Sequence, residues 1–208
     1  MIVSNGLTIG QFLQDTGTVI LPVVAPAGGL HVTLHSNSPL LMLSKTATGA
    51  GAATIAIDFV QGQGNAPYFV QSLGSSSTAT YTATAPGYGP GTDTVTMVPS
   101  GIVILGPGSV SLAGGPQSLT VFTAQLSASN VPVVPQALAG GASLTVSLTN
   151  SPGVAGSVPA SVTVAAGASS TTALFTPLVA GISTTVSVVQ PSGWTVPTAL
   201  TSLGISVF

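Results

Sequence analysis

The chain has 208 residues, of which 45% are hydrophobic and only 2% are charged, whereas about a quarter of an average soluble domain is charged. Its one cation is Lys45, its three acids are Asp15, Asp58 and Asp93, and it contains no cysteine. This composition excludes the basic surface that nucleic-acid binding requires and leaves almost no acids, bases or thiols for catalysis. Prolines interrupt the most apolar run, at residues 19–26, so we expect no membrane-spanning segment.

Alternation of apolar and polar residues predicts short β-strands along the whole chain. In chain order, this period-2 pattern appears at 31–35, 54–59, 145–149 and 161–165, and each segment presents its branched or aromatic residues on one face. Glycine and proline, 26 and 16 in number, are spread so evenly that few windows have room for a helix. Short strands between Gly, Pro, Asn and Ser clusters predict an all-β fold, either a sandwich or a barrel.

Segments of the first half recur in the same order in the second half. The matched segments are 28–39 with 140–152, 57–62 with 162–167, Phe69 with Phe175, 79–83 with 184–188, Tyr88 with Trp194, and 95–98 with 205–208. Their offset of about 100 residues is the size of one immunoglobulin-like sandwich. We therefore predict two tandem immunoglobulin-like antiparallel β-sandwiches, at residues 1–100 and 101–208. The run 102–105 fits either the last strand of the first domain or the first strand of the second.

Three stretches carry a family resemblance. They are the run at 159–170, the later Phe175-Thr176, and a Gly-Gly-x-x-Val-Thr-Leu-x-Ser stretch from Gly28. These stretches resemble bacterial immunoglobulin-like repeats, the tandem modules of large secreted and cell-surface proteins. The resemblance implies an extracellular or cell-surface location and a role as spacer, adhesin stalk or filament module, without shared catalytic residues. Residues 1–6 lack the positive and apolar regions of a signal peptide, so we expect no export signal within this chain.

Two histidines, His31 and His35, are the first candidates for a metal site. On a strand they share one face, but a separation of four residues places them about 13 Å apart. One ion with ligands at about 2 Å cannot bridge that distance. We therefore predict two exposed strand histidines and no metal or other cofactor. The alternative is a weak surface-metal contact or a pH-sensitive contact across an interface.

The three carboxylates do not form an evident acid–base pair. Asp15 and Asp93 each adjoin turn signals, so we expect their side chains to cap backbone amides locally. Asp58 lies on the outer face of its predicted strand, where a surface pair with Lys45 would contribute little stability. The sequence also lacks a Gly-x-Ser-x-Gly elbow and a phosphate-binding loop. We therefore expect that the protein is not an enzyme.

Aromatic residues at loop ends are the remaining candidate site. Tyr88 and Trp194 each follow a Pro/Gly turn at matching places in the two halves. Equivalent placement favours a fold role in which each aromatic closes one end of its sandwich. The alternative is a platform on which sugar rings stack.

Together these features favour a non-catalytic structural module, a stalk or filament subunit of an exported bacterial assembly. Low net charge favours association, and charged residues that would protect strand edges are scarce. We therefore expect self-association or contact with neighbouring immunoglobulin-like repeats. One route is strand addition by a chain terminus, for which the candidate residues are Ile2, Val3, Ile205, Val207 and Phe208. The alternative function is a carbohydrate- or surface-binding adhesin module that uses the loop aromatics.

Overall fold

A computed structural model describes residues 1–4 and 6–208, and it confirms the all-β prediction. The strands are joined by loops and by one 3-10 turn at Leu112–Gly114. The chain divides into two compact units. Unit 1 comprises Met1–Val98 and Ala139–Ala142, and unit 2 comprises Pro99–Leu138 and Ser143–Phe208.

Unit 1 is built from eight strands in two sheets. The strands are β1 (Thr8–Gly10), β2 (Leu13–Ile20), β3 (Leu30–Ser36), β4 (Leu41–Ser44), β5 (Thr54–Phe59), β6 (Asn65–Ser72), β7 (Ser77–Ala85) and β8 (Tyr88–Val98). A five-stranded sheet has the order β1-β8-β7-β3-β5, and the second sheet contains the order β2-β6-β4. Within these sheets, only β1 runs parallel to its neighbour, β8.

Unit 2 contains the remaining strands, and those other than β13 form two sheets. They are β9 (Ser100–Leu105), β10 (Ser109–Val110), β11 (Gln117–Leu126), β12 (Pro132–Pro135), β13 (Ala137–Leu138), β14 (Leu144–Ser151), β15 (Gly156–Ser157), β16 (Ser161–Val164), β17 (Ser170–Pro177), β18 (Ser183–Val189) and β19 (Ser202–Val207). One sheet has the order β10-β19-β18-β14-β16, with β10 parallel to β19. The other has the order β12-β11-β17-β15, and β9 also pairs with β11. The run 102–105, left open by the sequence, therefore belongs to a sheet of unit 2.

The predicted alternation of buried and exposed residues is observed in the strands. On β3, Val32 and Leu34 are buried, whereas His31 and His35 are exposed. On β14, Val146 and Leu148 are buried, and the exposed Ser147 lies between them. The inward rows of both sheets supply the apolar burial that stabilises each sandwich.

One of the matched pairs is out of register. Phe69 is only half-buried on β6, whereas its neighbour Tyr68 is fully buried. Phe175 is fully buried on β17, so its structural counterpart is Tyr68 and not Phe69. Each of these two rings lies over a glycine, Gly17 or Gly156, where an added Cβ would overlap the ring. The mismatch matters because a one-residue shift moves a strand side chain to the opposite face.

Candidate functional site

The two histidines lie on the exposed face of β3, as expected, but their partners differ from those predicted. The Nδ1 atom of His31 is 2.6 Å from Oδ1 of Asp58, which is directly opposite on β5. The Nδ1 atom of His35 is 2.8 Å from Oγ1 of Thr54. Asp58 therefore pairs with His31, and the predicted pair with Lys45 is wrong. Cross-strand register decides this, because it places the imidazole and the carboxylate side by side.

A buried polar network occupies the interior of unit 1, and it includes Asp93. The Tyr81 hydroxyl donates to Oδ2 of Asp93 at 3.0 Å, and the Gly6 and Thr94 amides donate to Oδ1 at 2.8 and 2.7 Å. Asp93 is buried in the middle of β8, so the prediction that it caps a turn is wrong. Its carboxylate does accept backbone amides, but it also binds a core hydroxyl.

Tyr68 extends this network from the other sheet. Its hydroxyl lies 2.6 Å from that of Tyr81, and the two rings meet edge to face with centroids 5.8 Å apart. Since the Tyr81 proton is directed at Asp93, Tyr68 donates to Tyr81. Burial raises the pKa of both phenols, because desolvation disfavours the phenolate. This arrangement suits a structural core network, since every polar group has a partner.

Asp15 lies on β2, exposed to solvent, and not in the turn that the sequence favoured. Its Oδ1 accepts the Thr16 amide at 2.7 Å. Among residues 1–4 and 6–208, no three His, Cys, Asp or Glu side chains come together where they could hold a metal ion. In the same residues, no helix has the length and apolarity to cross a membrane.

The loop aromatics each contact their own unit. Tyr88 is half-buried at the start of β8, and its hydroxyl donates to the Val24 carbonyl at 3.3 Å. Trp194 is half-buried and packs against the hydrophobic core of unit 2. The end-closing role and the sugar platform both stay predictions for these two rings.

Both chain termini are paired within their own units. Ile2 and Ile20 exchange two backbone hydrogen bonds, of 2.9 and 2.8 Å, and Val3 is buried. Ile205 and Val207 are buried in β19, which pairs with β18 and β10. Phe208 is exposed, although its amide donates to the Val110 carbonyl at 3.0 Å. Strand exchange by either terminus would first have to break these bonds.

The outward faces of the two five-stranded sheets are covered by hydroxyl groups. In unit 1 this face carries Thr8, Thr33, Thr54, Thr78, Thr80, Thr82, Thr84, Thr92, Thr94 and Thr96. In unit 2 the corresponding face carries Ser109, Thr145, Ser147, Thr149, Ser151, Ser161, Thr163, Ser183, Thr185, Ser187, Ser202 and Ser206. Some cross-strand neighbours bond to each other: the hydroxyls of Thr82 and Thr92 lie 3.2 Å apart, and those of Ser183 and Ser206 lie 2.9 Å apart. The low charge of the sequence thus corresponds to two sheet faces on which neutral hydroxyl groups contact the solvent.

A cleft opens at the end of β3 in unit 1, with a volume of about 470 Å³. The sequence did not predict this cleft, although the Asn-Ser-Pro run among its lining residues is part of the internal repeat. We call it the His35 cleft, and its lining residues are His35, Ser36, Asn37, Ser38, Pro39 and Ala53.

The geometry of each unit is that of a β-sandwich, and comparisons with known proteins assign the chain to no family. No family model matches the chain, and no curated protein matches it. Among solved structures, domains 4-9 of the surface layer protein SbsC are 15% identical over 100% of this chain and 31% of that one, with a TM-score of 0.35. The Yersinia pseudotuberculosis adhesin InvE is 17% identical over 99% of this chain and 58% of that one, with a TM-score of 0.37. The CBD12 segment of CALX1.2 is 8% identical over 100% and 99%, with a TM-score of 0.34.

The chain thus spans about a third of the first of these structures and somewhat more than half of the second. Similarity of this degree assigns no function to the chain.

Proposed function

We propose that the protein is a non-catalytic structural module of an exported bacterial cell-surface or extracellular assembly, and that it acts by self-association. The observation that carries the proposal is the pair of charge-poor, hydroxyl-covered sheet faces. On the face of unit 1 the only charged group besides histidine is Asp58, which is paired with His31. The face of unit 2 has no charge at all. Surfaces without net charge do not repel one another, which favours association.

The edges of these sheets offer a direct route to association. Strand β16 lies at the edge of its sheet and pairs only with β14 on one side. Its sequence, Ser-Val-Thr-Val, has neither a lysine nor a proline, which are the residues that commonly protect an edge strand. Addition of a strand from another copy would satisfy the free backbone groups there. This route does not require either terminus to leave its own sheet.

The partners of the carboxylates are the second support for a non-enzymatic role. In the described residues 1–4 and 6–208, Asp93 is committed to Tyr81 and two amides, and Asp58 is committed to His31. Asp58 and His31 do form a carboxylate–imidazole pair, but both side chains lie largely exposed on the face of the sheet, and the Asp93 carboxylate is buried with its donors. The bacterial immunoglobulin-like resemblance of the sequence supports the extracellular location.

Sedimentation velocity over a wide concentration range, with negative-stain microscopy, tests the proposal. We expect concentration-dependent oligomers or filaments. Thr163→Lys, on the edge strand β16, should weaken them, whereas Thr149→Lys, on the same face but on the interior strand β14, should not. Loss of association in both variants would indicate stacking of sheet faces instead of edge pairing. Monomers at every concentration, pH and salt would overturn the proposal.

A further inference from the structure

Hydrogen bonds fix the backbone of the residues that line the His35 cleft. Some of the polar side chains there keep unused hydrogen-bonding capacity. The Ser36 amide donates to the Ala53 carbonyl at 2.8 Å, and the Asn37 amide donates to the Thr80 carbonyl at 2.9 Å. The Ser36 hydroxyl donates to the Ser38 carbonyl at 3.0 Å and is itself buried. The walls are therefore fixed by β3 and its two neighbours before any ligand arrives, which lowers the entropic cost of binding.

Three lining side chains still have unused hydrogen-bonding capacity. His35 uses Nδ1 for Thr54, which leaves Nε2. Asn37 uses Nδ2 for the Thr80 hydroxyl at 3.0 Å, which leaves its carbonyl oxygen. The Ser38 hydroxyl accepts the Leu40 amide at 3.2 Å and keeps its own proton to donate. The cleft thus offers donors and acceptors, with no Asp, Lys or Arg among its lining residues.

The corresponding corner of unit 2 shows that this availability does not simply follow from the sequence motif. There the matching Asn-Ser-Pro run is Asn150, Ser151 and Pro152. The Asn150 amide donates to the Gly156 carbonyl at 2.6 Å, and its carbonyl oxygen accepts the Thr184 hydroxyl. Thr184 also donates to the Pro152 carbonyl at 2.7 Å. Asn150 lies on the inward face of β14, where β3 has Ser36, and its amide group is used by the fold. Asn37 is exposed one residue later and keeps its carbonyl oxygen for a ligand.

We propose that the His35 cleft is a binding site for a neutral saccharide. The cleft is shallow and open to solvent, with a volume of about 470 Å³, so a ligand would lie along the protein surface. A polyhydroxylated, uncharged ligand matches a lining that both donates and accepts hydrogen bonds and carries no formal charge. Pro39 and Ala53 supply an apolar wall for the C–H face of a sugar ring. This inference is independent of self-association, and it places saccharide binding away from Tyr88 and Trp194.

Amide-resolved NMR titration of the full chain with maltose, cellobiose and N,N′-diacetylchitobiose tests the proposal. At least one probe should cause saturable shifts at Asn37, Ser38 and Ala53, with none at Asn150 and Ser151. His35→Ala should weaken binding by about tenfold, the effect of losing one hydrogen bond. His31→Ala is the matched control, since it removes the same side chain four residues away on the same face, and it should leave binding unchanged.

Ala53→Leu provides a second variant that fills the cleft without removing a polar group, and it should abolish binding. The proposal is overturned if none of the three probes gives a saturable shift in the cleft. Shifts centred on Tyr88 or Trp194 would overturn it too, as would equal losses of affinity in His31→Ala and His35→Ala.

Discussion

Unit 1 and unit 2 share a strand order but differ completely in ionisable side chains. Every Lys, Asp, His and Tyr of the chain lies within residues 1–98, so unit 2 has no side chain that titrates. Both nevertheless form a five-stranded sheet in which the first strand runs parallel to the last. The difference teaches that apolar inward rows and neutral hydroxyl faces are sufficient for this fold, which does not require charged side chains.

The same comparison extends to the centre of each core. Phe175 fills its position with a purely apolar ring, whereas the equivalent Tyr68 brings a hydroxyl that needs a buried partner. Tyr81 and Asp93 provide that partner in unit 1. The centre of the unit 1 core therefore contains a tyrosine–carboxylate network, whereas the matching position of unit 2 holds an apolar ring.

Alkaline pH should produce the largest difference in stability between the two units. The pKa of Tyr68 and that of Tyr81 are raised by burial above the ordinary value of 10.0. The unfolded chain thus loses its tyrosine protons first, so stability is full below pH 10.0 and falls as pH rises above it. Each pH unit above that value costs about 1.4 kcal/mol for every tyrosine that remains protonated in the folded unit.

The chain carries a separate optical probe for each unit. Tyrosine near-UV circular dichroism reports unit 1, which holds all three tyrosines, and the fluorescence of the single Trp194 reports unit 2. We expect the tyrosine signal to collapse at high pH while the tryptophan signal remains native. Simultaneous loss of both signals would contradict independent stability of the units.

Removal of the central aromatic ring of unit 2 should cause the next largest loss of stability. Phe175→Ala leaves a cavity among fully buried side chains and should cost about 3–5 kcal/mol. Trp194 fluorescence during urea unfolding measures it. Phe69→Ala, at the half-buried position that the repeat had matched to Phe175, is the control. It lies in unit 1, so tyrosine circular dichroism measures it, and it should cost far less. Similar losses in the two variants would restore the original match.

The buried carboxylate of unit 1 should matter somewhat less. Asp93→Ala leaves the Tyr81 hydroxyl and the Gly6 and Thr94 amides without their acceptor, and we expect a loss of about 3 kcal/mol. The tyrosine circular dichroism signal during urea unfolding reports it. A stability equal to that of the unsubstituted chain would show that water replaces the carboxylate at no cost.

The exposed contact between His31 and Asp58 should have the smallest effect. Asp58→Asn removes the charge facing His31 on the surface of the sheet, where both side chains are largely solvated. Exposed pairs contribute little, so the urea midpoint should stay unchanged. A shift as large as that of Asp93→Ala would mean that this pair supports the β3–β5 register.

Much of the fold could be predicted from local patterns. The alternation at Val32 and Leu34, and again at Val146 and Leu148, is a property of neighbouring residues and indicates which face is buried. The candidate site was harder to predict from the sequence. The free oxygen of Asn37 and the committed amide of Asn150 arise from the same three-residue motif, so the sequence predicts no difference between them.

The amino-acid sequence by itself determined the β character of the chain, its hydroxyl-rich outer faces and the confinement of charge to its first half, because composition and period-2 alternation are local. The tertiary structure alone decided that Asp93 is buried with Tyr81, that Asp58 meets His31, and that Tyr68 and not Phe69 fills the core. These contacts join residues that lie far apart in sequence. Strand register brings them together, and register depends on the packing of both sheets at once.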